Sequence, residues 1–241
     1  MSVLEKSIYD HPRIRKLVFA LSATVISLSF YIVYSFELNI PQWDDFSLSL
    51  ILLWLKGNTD GPFAFISTLF SQFFEHKLVV YRLVAFLDYH LFGQLDFKHL
   101  AYIGNSVNII LMLLLCKIIK NDRCGYLPLV PVILLFLVSF QWTEQAWRNG
   151  AGATYVLCFS GLAFYFAVLE NELRSPYLIL AFVFSTLAVF STANGLLVSP
   201  VIVAYFLCRG HRSRAILWAL VSFAQWGFYF LYDYEKVPYK P

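Results

Sequence analysis

The stretch "LVFALSATVISLSFYIVYSF" (residues 17–36) contains no charged residue. A run of about 20 apolar residues crosses the hydrocarbon core of a bilayer as one helix. The basic residues Arg13, Arg15 and Lys16 precede it, as they would in a secretory signal peptide. However, the run is longer than the apolar core of a signal peptide, and no small-x-small cleavage site follows it. We therefore interpret it as an uncleaved first membrane span.

The rest of the chain repeats this pattern. Of the 241 residues, 59% are hydrophobic and 14% are charged, whereas soluble domains carry about 25% charged residues. Further apolar runs occupy 99–119, 127–142, 151–169, 176–192, 194–208 and 214–232. Together they predict an all-α, polytopic membrane helix bundle of about seven transmembrane helices. Lys and Arg are scattered among the loops, so we expect no nucleic-acid partner.

One segment, "LVVYRLVAFLDYHLF" (78–92), is apolar but contains Arg82, Asp88 and His90. A charge near the centre of a bilayer costs about 2.5–3.5 kcal/mol on insertion scales. If the segment does not cross, most Lys and Arg lie on the side of the N-terminus, which the positive-inside rule makes cytoplasmic. If it does cross, this bias disappears. We therefore expect residues 37–98 to form a long first outer loop, with 44–58 and 78–92 as two interfacial helices joined by a turn at 59–62.

The outer loop opens with "NIPQWDDFSL" (39–48), which contains the adjacent carboxylates Asp44 and Asp45. An aspartate before an apolar helix can cap its free N–H groups and interact favourably with its dipole. One cap accounts for only one of the two. Alternatively, one carboxylate acts as a general base, and Asp45 is a candidate ligand for a divalent cation such as Mg²⁺ or Mn²⁺. The residues themselves leave both interpretations open.

Further along the loop, Glu75 and Arg82 are seven residues apart and would share one face of a helix. They could form a surface ion pair at the lipid headgroups. Alternatively, Arg82 and His76 could bind a phosphate, with Glu75 orienting them. Arg148, in the second outer loop "FQWTEQAWRNGAG" (140–152), is a further candidate for phosphate binding.

Three short elements carry a resemblance to a known family. They read "WDDF" (43–46), "FEHKLVVYR" (74–82) and "STANGLLVSP" (191–200). With a basic N-terminus, one span and an acidic outer loop, they resemble the GT-C superfamily of multispanning membrane glycosyltransferases. The similarity is to a bacterial branch with a W-D-D element, an N-E-H-R element followed by an arginine, and an "ANG"-like turn. Phe74 stands where that branch has Asn, and Lys77 where it has Arg.

The resemblance implies that residues 1–241 form a single transmembrane module of the bacterial inner membrane, active on its outer face. It implies transfer of a sugar from a polyprenyl-phosphate carrier to a glycan, lipid or protein acceptor. Asp44 would be the general base of an inverting displacement, and Asp45 would orient it or hold the cation. His76, Arg82 and Arg148 would bind the phosphate of the substrate, with Glu75 orienting them. Relatives continue with more spans or an outer domain, so either a minimal module or a C-terminally incomplete chain is expected.

Other classes of function stay open. A transporter or flippase would place ionisable residues at mid-span, and the runs after residue 100 have almost none there. A membrane acyltransferase would use a histidine such as His76 and would not need the aspartate pair. A non-catalytic membrane protein of cell-envelope polysaccharide assembly is the remaining alternative.

Overall fold

A computed structural model describes residues 12–36, 39–40, 45–57, 61–74, 76–121, 130, 133, 150–169 and 176–235. Within these ranges the regular elements are all helical, in agreement with the predicted all-α class. We number the α-helices α1 Pro12–Phe36, α2 Asp45–Gly57, α3 Pro62–Phe70, α4 Val79–Phe92, α5 Phe97–Asn121, α6 Gly150–Leu169, α7 Pro176–Val189, α8 Val198–Cys208 and α9 Arg212–Leu231. A 3₁₀ helix, Ala193–Leu197, precedes α8.

Several of these helices are apolar enough to associate with a lipid bilayer. In the described part of the chain, Pro12–Ser35, Phe97–Ile118 and Arg212–Leu231 are also long enough to cross one. Thr154–Leu169, Pro176–Val189 and Ala193–Cys208 are apolar but shorter. The 14 residues of α7 extend about 21 Å, less than the roughly 30 Å hydrocarbon core. The predicted run 127–142 lies outside the described residues except for Val130 and Ile133, so a count of seven spans stays a prediction.

The chain divides into two compact units. The first comprises residues 1–40 and 96–151. In it, α1 and α5 pack antiparallel: Val18 and Met112 share one apolar cluster, while the rings of Phe30 and Tyr102 stack 5.9 Å apart towards the other end. At that end Lys98 Nζ donates to the carbonyl oxygen of Tyr34 (2.8 Å) and so caps the last turn of α1.

The second unit comprises residues 41–95 and 152–241. Its apolar core is formed by helices α6 to α9, and the buried residues are Val156, Ala163, Ala167, Ala181, Ala188, Val198, Ile202, Phe206, Ala215 and Trp218. Alanines on α6 and α7 allow helices to approach closely, as is common where helices pack in a membrane.

A buried polar network joins α7, α8 and α9 in this core. The side-chain carbonyl of Gln225 accepts a hydrogen bond from Ser199 Oγ (2.7 Å). Its amide donates to Ser185 Oγ (2.8 Å) and to Thr186 Oγ1 (3.2 Å). Since Gln225 uses both its acceptor and its donor group, the network fixes the positions of the three helices relative to one another.

The described part of residues 37–98 contains three helices before α5 rather than the two that we expected. The predicted helices 44–58 and 78–92 are confirmed as α2 and α4. Helix α2 ends at Gly57, and α4 ends before Gly93, whose φ of 75° is left-handed. The additional helix is α3, which begins at Pro62 after Gly61. Its nine residues are nearly all apolar, so no periodicity marked it, although proline is favourable at the first helical position.

Candidate functional site

Three segments that are distant in the sequence meet at one place in the second unit. We call this place the polar junction and define it as residues 71–74, 76–78, 190–195 and 229–235. The Val80 N–H donates to the carbonyl oxygen of Phe190 (3.1 Å). The Ala193 N–H donates to His76 Nδ1 (3.3 Å). The Lys77 N–H donates to the hydroxyl of Tyr229 (3.1 Å). The junction therefore connects the chain between α3 and α4 to the ends of α7 and α9.

A tight turn presents the first of these segments. Phe73 and His76 exchange two backbone hydrogen bonds of 2.8 Å, and Phe74 adopts a left-handed φ of 50°. Gln72, at the base of the turn, forms two hydrogen bonds with the chain after α9. Its amide donates to the Glu235 carbonyl (2.6 Å), and its side-chain oxygen accepts from the Glu235 N–H (2.5 Å). This pairing holds residues 232–235 against the turn.

Lys77 is fully buried in the junction, with 0% of its surface exposed. Its ammonium donates to the carbonyl oxygens of Phe70 (3.1 Å), Tyr232 (2.5 Å) and Asp233 (3.3 Å). Burial lowers the pKa of Lys77, with the nearby positive charge of Arg82 acting in the same direction and Asp233 acting against both. A lysine that stabilises carbonyl oxygens at the ends of α3 and α9 ties the two helices together.

Arg82, on α4, is also buried, with 1% of its surface exposed. Its Nη1 donates to the carbonyl oxygens of Thr68 (3.2 Å), Leu69 (2.9 Å) and Ser71 (2.6 Å), and to Ser71 Oγ (3.1 Å). These carbonyls belong to the C-terminal end of α3, where backbone acceptors lack partners within the helix. Burial lowers the pKa of Arg82 to about 10, so the side chain is charged at neutral pH. Its Nη2 is buried and has no hydrogen-bond partner among the described residues.

His76 is half-buried, and its Nδ1 accepts a hydrogen bond from a backbone N–H. A ring nitrogen that accepts cannot carry a proton, so this contact assigns the proton of the neutral ring to Nε2. In this state the imidazole offers a donor at Nε2. A second proton on the ring would break the bond to Ala193.

The "ANG" turn has a clear structural basis at Gly195. A Cβ added there would lie 2.0 Å from the carbonyl oxygen of Ala188, far closer than any side chain tolerates. The Gly195 N–H donates to the Thr192 carbonyl (3.0 Å), which closes the turn. Glycine is therefore required because the end of α7 passes directly against the 3₁₀ helix.

The other predicted site residues lie partly or wholly outside the residues that the structure describes. Helix α2 begins at Asp45, where the helix dipole stabilises a negative charge. The side chain of Asp45, and Asp44, Glu75 and Arg148 entirely, lie outside the described residues. Both interpretations of the aspartate pair, helix capping and catalysis, therefore stay predictions. The direction in which the two carboxylates point relative to Arg82 stays a prediction.

A metal site also stays a prediction. Among the residues that the structure describes, no group of three or more His, Cys, Asp or Glu side chains could hold a metal ion. The side chain of the predicted ligand Asp45 lies outside that set.

The roles of Gln72, Lys77 and Tyr229 were not predicted from the sequence. Nothing in the sequence separates a buried lysine from one whose ammonium reaches the lipid headgroups. In comparisons with known proteins, no family model matches the chain, and no curated protein or solved structure is significantly similar to it.

Proposed function

We propose that the protein is a membrane glycosyltransferase that transfers a sugar from a polyprenyl-phosphate carrier to an acceptor on the outer face of a bacterial inner membrane. One observation carries the proposal. The segments "FEHKLVVYR" (74–82) and "STANGLLVSP" (191–200) carry the resemblance, and they contact each other through His76 and Ala193. The Val80 N–H also donates to the carbonyl oxygen of Phe190, the residue directly before the second segment. Helix α2, which begins within "WDDF" (43–46), packs on the helix that carries Arg82.

The proposed reaction is a single inverting displacement. Asp44 removes the proton of the acceptor hydroxyl as its oxygen attacks the anomeric carbon of the sugar. The bond between that carbon and the carrier phosphate oxygen breaks, and polyprenyl phosphate leaves with the electron pair. Asp45 orients the base or holds Mg²⁺ or Mn²⁺, which would supply charge neutralisation.

The leaving phosphate would be stabilised by donors from His76, Arg82 and Arg148, with Glu75 orienting them. In His76 the donor is Nε2–H, because Nδ1 already accepts from Ala193. In Arg82 it is Nη2, because Nη1 already caps α3. Both side chains thus keep one donor beyond their structural bonds among the described residues.

The contacts of the polar junction also support the seven-span topology. In that topology, residues 71–78, 190–195 and 232–235 all face outside, and a cytoplasmic N-terminus follows from the basic residues before α1. If α4 crossed the membrane, the first segment would lie on the opposite side from the other two. Hydrogen bonds from Lys77 to Tyr232 and from Ala193 to His76 require one side.

The test is transfer from a polyprenyl-phosphate sugar by the purified chain in lipid. Asp44→Asn should lower the rate by about 10²–10⁴-fold, because the base is lost while the size and capping ability are kept. Asp45→Asn should reduce the rate less, or in a manner that depends on added Mg²⁺ or Mn²⁺. Glu172→Gln, a carboxylate predicted on the cytoplasmic face, is the control. Equal transfer by the parent and both Asn variants would contradict the mechanism.

A second candidate is a non-catalytic or flippase-type protein of envelope polysaccharide assembly. It is favoured by the hydrogen bonds of Lys77 and Arg82, since these cations donate to backbone carbonyl oxygens at the ends of α3 and α9 and so stabilise the fold. In that case, substitutions in the junction should change stability without changing any transfer rate measured on the folded fraction.

A further inference from the structure

A groove of about 1010 Å³ lies between α1 and α5 in the first unit. Its lining changes along its length. Arg15, Lys16 and Lys117 lie where α1 begins and α5 ends, while Phe19, Ile26 and Leu113 line the part closer to the middle of the two helices. Cations at one end and apolar side chains beyond them match an amphiphile with an anionic head.

The surroundings of the groove favour a lipid as that amphiphile. Both helices are long and apolar enough to cross a bilayer, so the groove would open towards lipid. Phe19 and Leu113 are 76% and 59% exposed, as expected for side chains that contact acyl chains. The hydroxyl of Ser22 donates to the carbonyl of Val18 within its own helix, so it does not make this wall hydrophilic.

We propose that this groove binds one anionic phospholipid, with its phosphate at Arg15, Lys16 and Lys117 and an acyl chain along Phe19 and Leu113. The Ala23 side chain faces the groove and leaves room for that chain. The site is independent of the proposed sugar transfer and uses none of its residues.

The headgroup part of the proposal is tested by native mass spectrometry of the purified full chain with added phosphatidylglycerol or phosphatidylcholine. The parent should retain phosphatidylglycerol in preference. Arg15→Gln with Lys117→Gln should weaken this binding about 25-fold, roughly fivefold for each cation near a membrane surface. Arg209→Gln with Arg212→Gln removes two exposed cations outside the groove and should leave binding unchanged. Equal retention of both lipids, or equal losses by the two double variants, would overturn the proposal.

The acyl-chain part is tested without any change of charge. Ala23→Trp should fill the groove and abolish the retained lipid. Ala20→Trp places the same ring at an exposed position of α1 outside the lining and should keep it. Retention by Ala23→Trp would mean headgroup attraction without a groove. A parent that carries no lipid but forms a dimer sensitive to Ala23→Trp would mean that a second copy of the chain fills the groove. Either result would overturn the proposal.

Discussion

The ammonium of Lys77 lies 2.5 Å from the carbonyl oxygen of Tyr232, 155 residues later in the chain. A buried cation placed on carbonyl oxygens makes charge-assisted hydrogen bonds, which are stronger than those between neutral groups. This contact joins the segment between α3 and α4 to the end of α9. We therefore expect the stability of the second unit to depend on Lys77.

Lys77→Met should lower the free energy of unfolding by about 2–4 kcal/mol, because it leaves buried carbonyls without donors. Thermal unfolding in detergent measures this. The pKa of Lys77 is lower in the folded protein than the ordinary value of 10.5, which applies to the unfolded chain. The group therefore contributes its full stabilisation above pH 10.5. This contribution is lost as the pH falls through the pKa of the folded state. The difference between parent and variant should consequently grow as the pH rises towards 10.5. A constant difference would contradict the assigned pKa shift.

Arg82→Gln should destabilise the fold by about 2–4 kcal/mol, since the carbonyls at the end of α3 lose a buried charged donor. Arg82→Lys should restore part of the loss. If Arg82 also binds phosphate, the folded fraction of both variants should in addition show a reduced kcat for sugar transfer. If kcat is unchanged on the folded fraction while stability falls, Arg82 serves the fold alone.

Gly195→Ala should be strongly destabilising, by more than about 3 kcal/mol, because its Cβ would meet the Ala188 carbonyl at 2.0 Å. Gly227→Ala is the matched control. A Cβ there has nothing within 4 Å, and alanine favours the helical backbone of α9 by up to about 1 kcal/mol. Melting temperatures of the two variants should move in opposite directions. A tolerated Gly195→Ala would contradict the close approach of α7.

The buried network should show measurable coupling between α8 and α9. In a double-mutant cycle of Gln225→Ala and Ser199→Ala, we expect an interaction energy of about 0.6–1.7 kcal/mol, the range typical of hydrogen bonds between membrane helices. Unfolding of the four proteins in detergent gives the value. Strict additivity would mean that the 2.7 Å bond contributes nothing to stability.

The topology can be tested with single cysteines in a background without native ones. Phe74→Cys, Gln94→Cys and Asn194→Cys are at exposed positions and should all react with an impermeant maleimide added from outside. Ser213→Cys, in the first turn of α9, should be protected from it. Opposite labelling of positions 74 and 94 would mean that α4 crosses the membrane, and every outer-face assignment would then fail.

Much of the fold was readable from the sequence. Apolar length predicted α1, α5, α6 and α9, and Gly57 marked the end of α2. Helix α3 was missed because it is short and almost uniformly apolar, so neither length nor period distinguished it. Polar turns such as "TANG" indicated the boundaries of helices but did not indicate which turns contact one another.

The contacts of the candidate site were harder to predict from the sequence than the helices. Patterns located His76 and Arg82 on one segment, but they could not show that Arg82 caps α3 or that His76 accepts from Ala193. Such contacts depend on how separate helices pack, which no local pattern encodes. Lys77 illustrates the point, because neither its residue type nor its position in the sequence indicated that the side chain is fully buried.

The pairing of Gln72 with Glu235 and of Lys77 with Tyr232 imposes an order on biosynthesis. At about 5–20 residues per second, a ribosome needs roughly 8–30 s to make the 155 residues between Lys77 and its partner. During that interval the new segment between α3 and α4 holds a lysine that still lacks its acceptors at Tyr232 and Asp233. The synthesis of α9 thus completes the contacts of the segment between α3 and α4, and a chain halted before α9 would expose that segment to quality-control proteases.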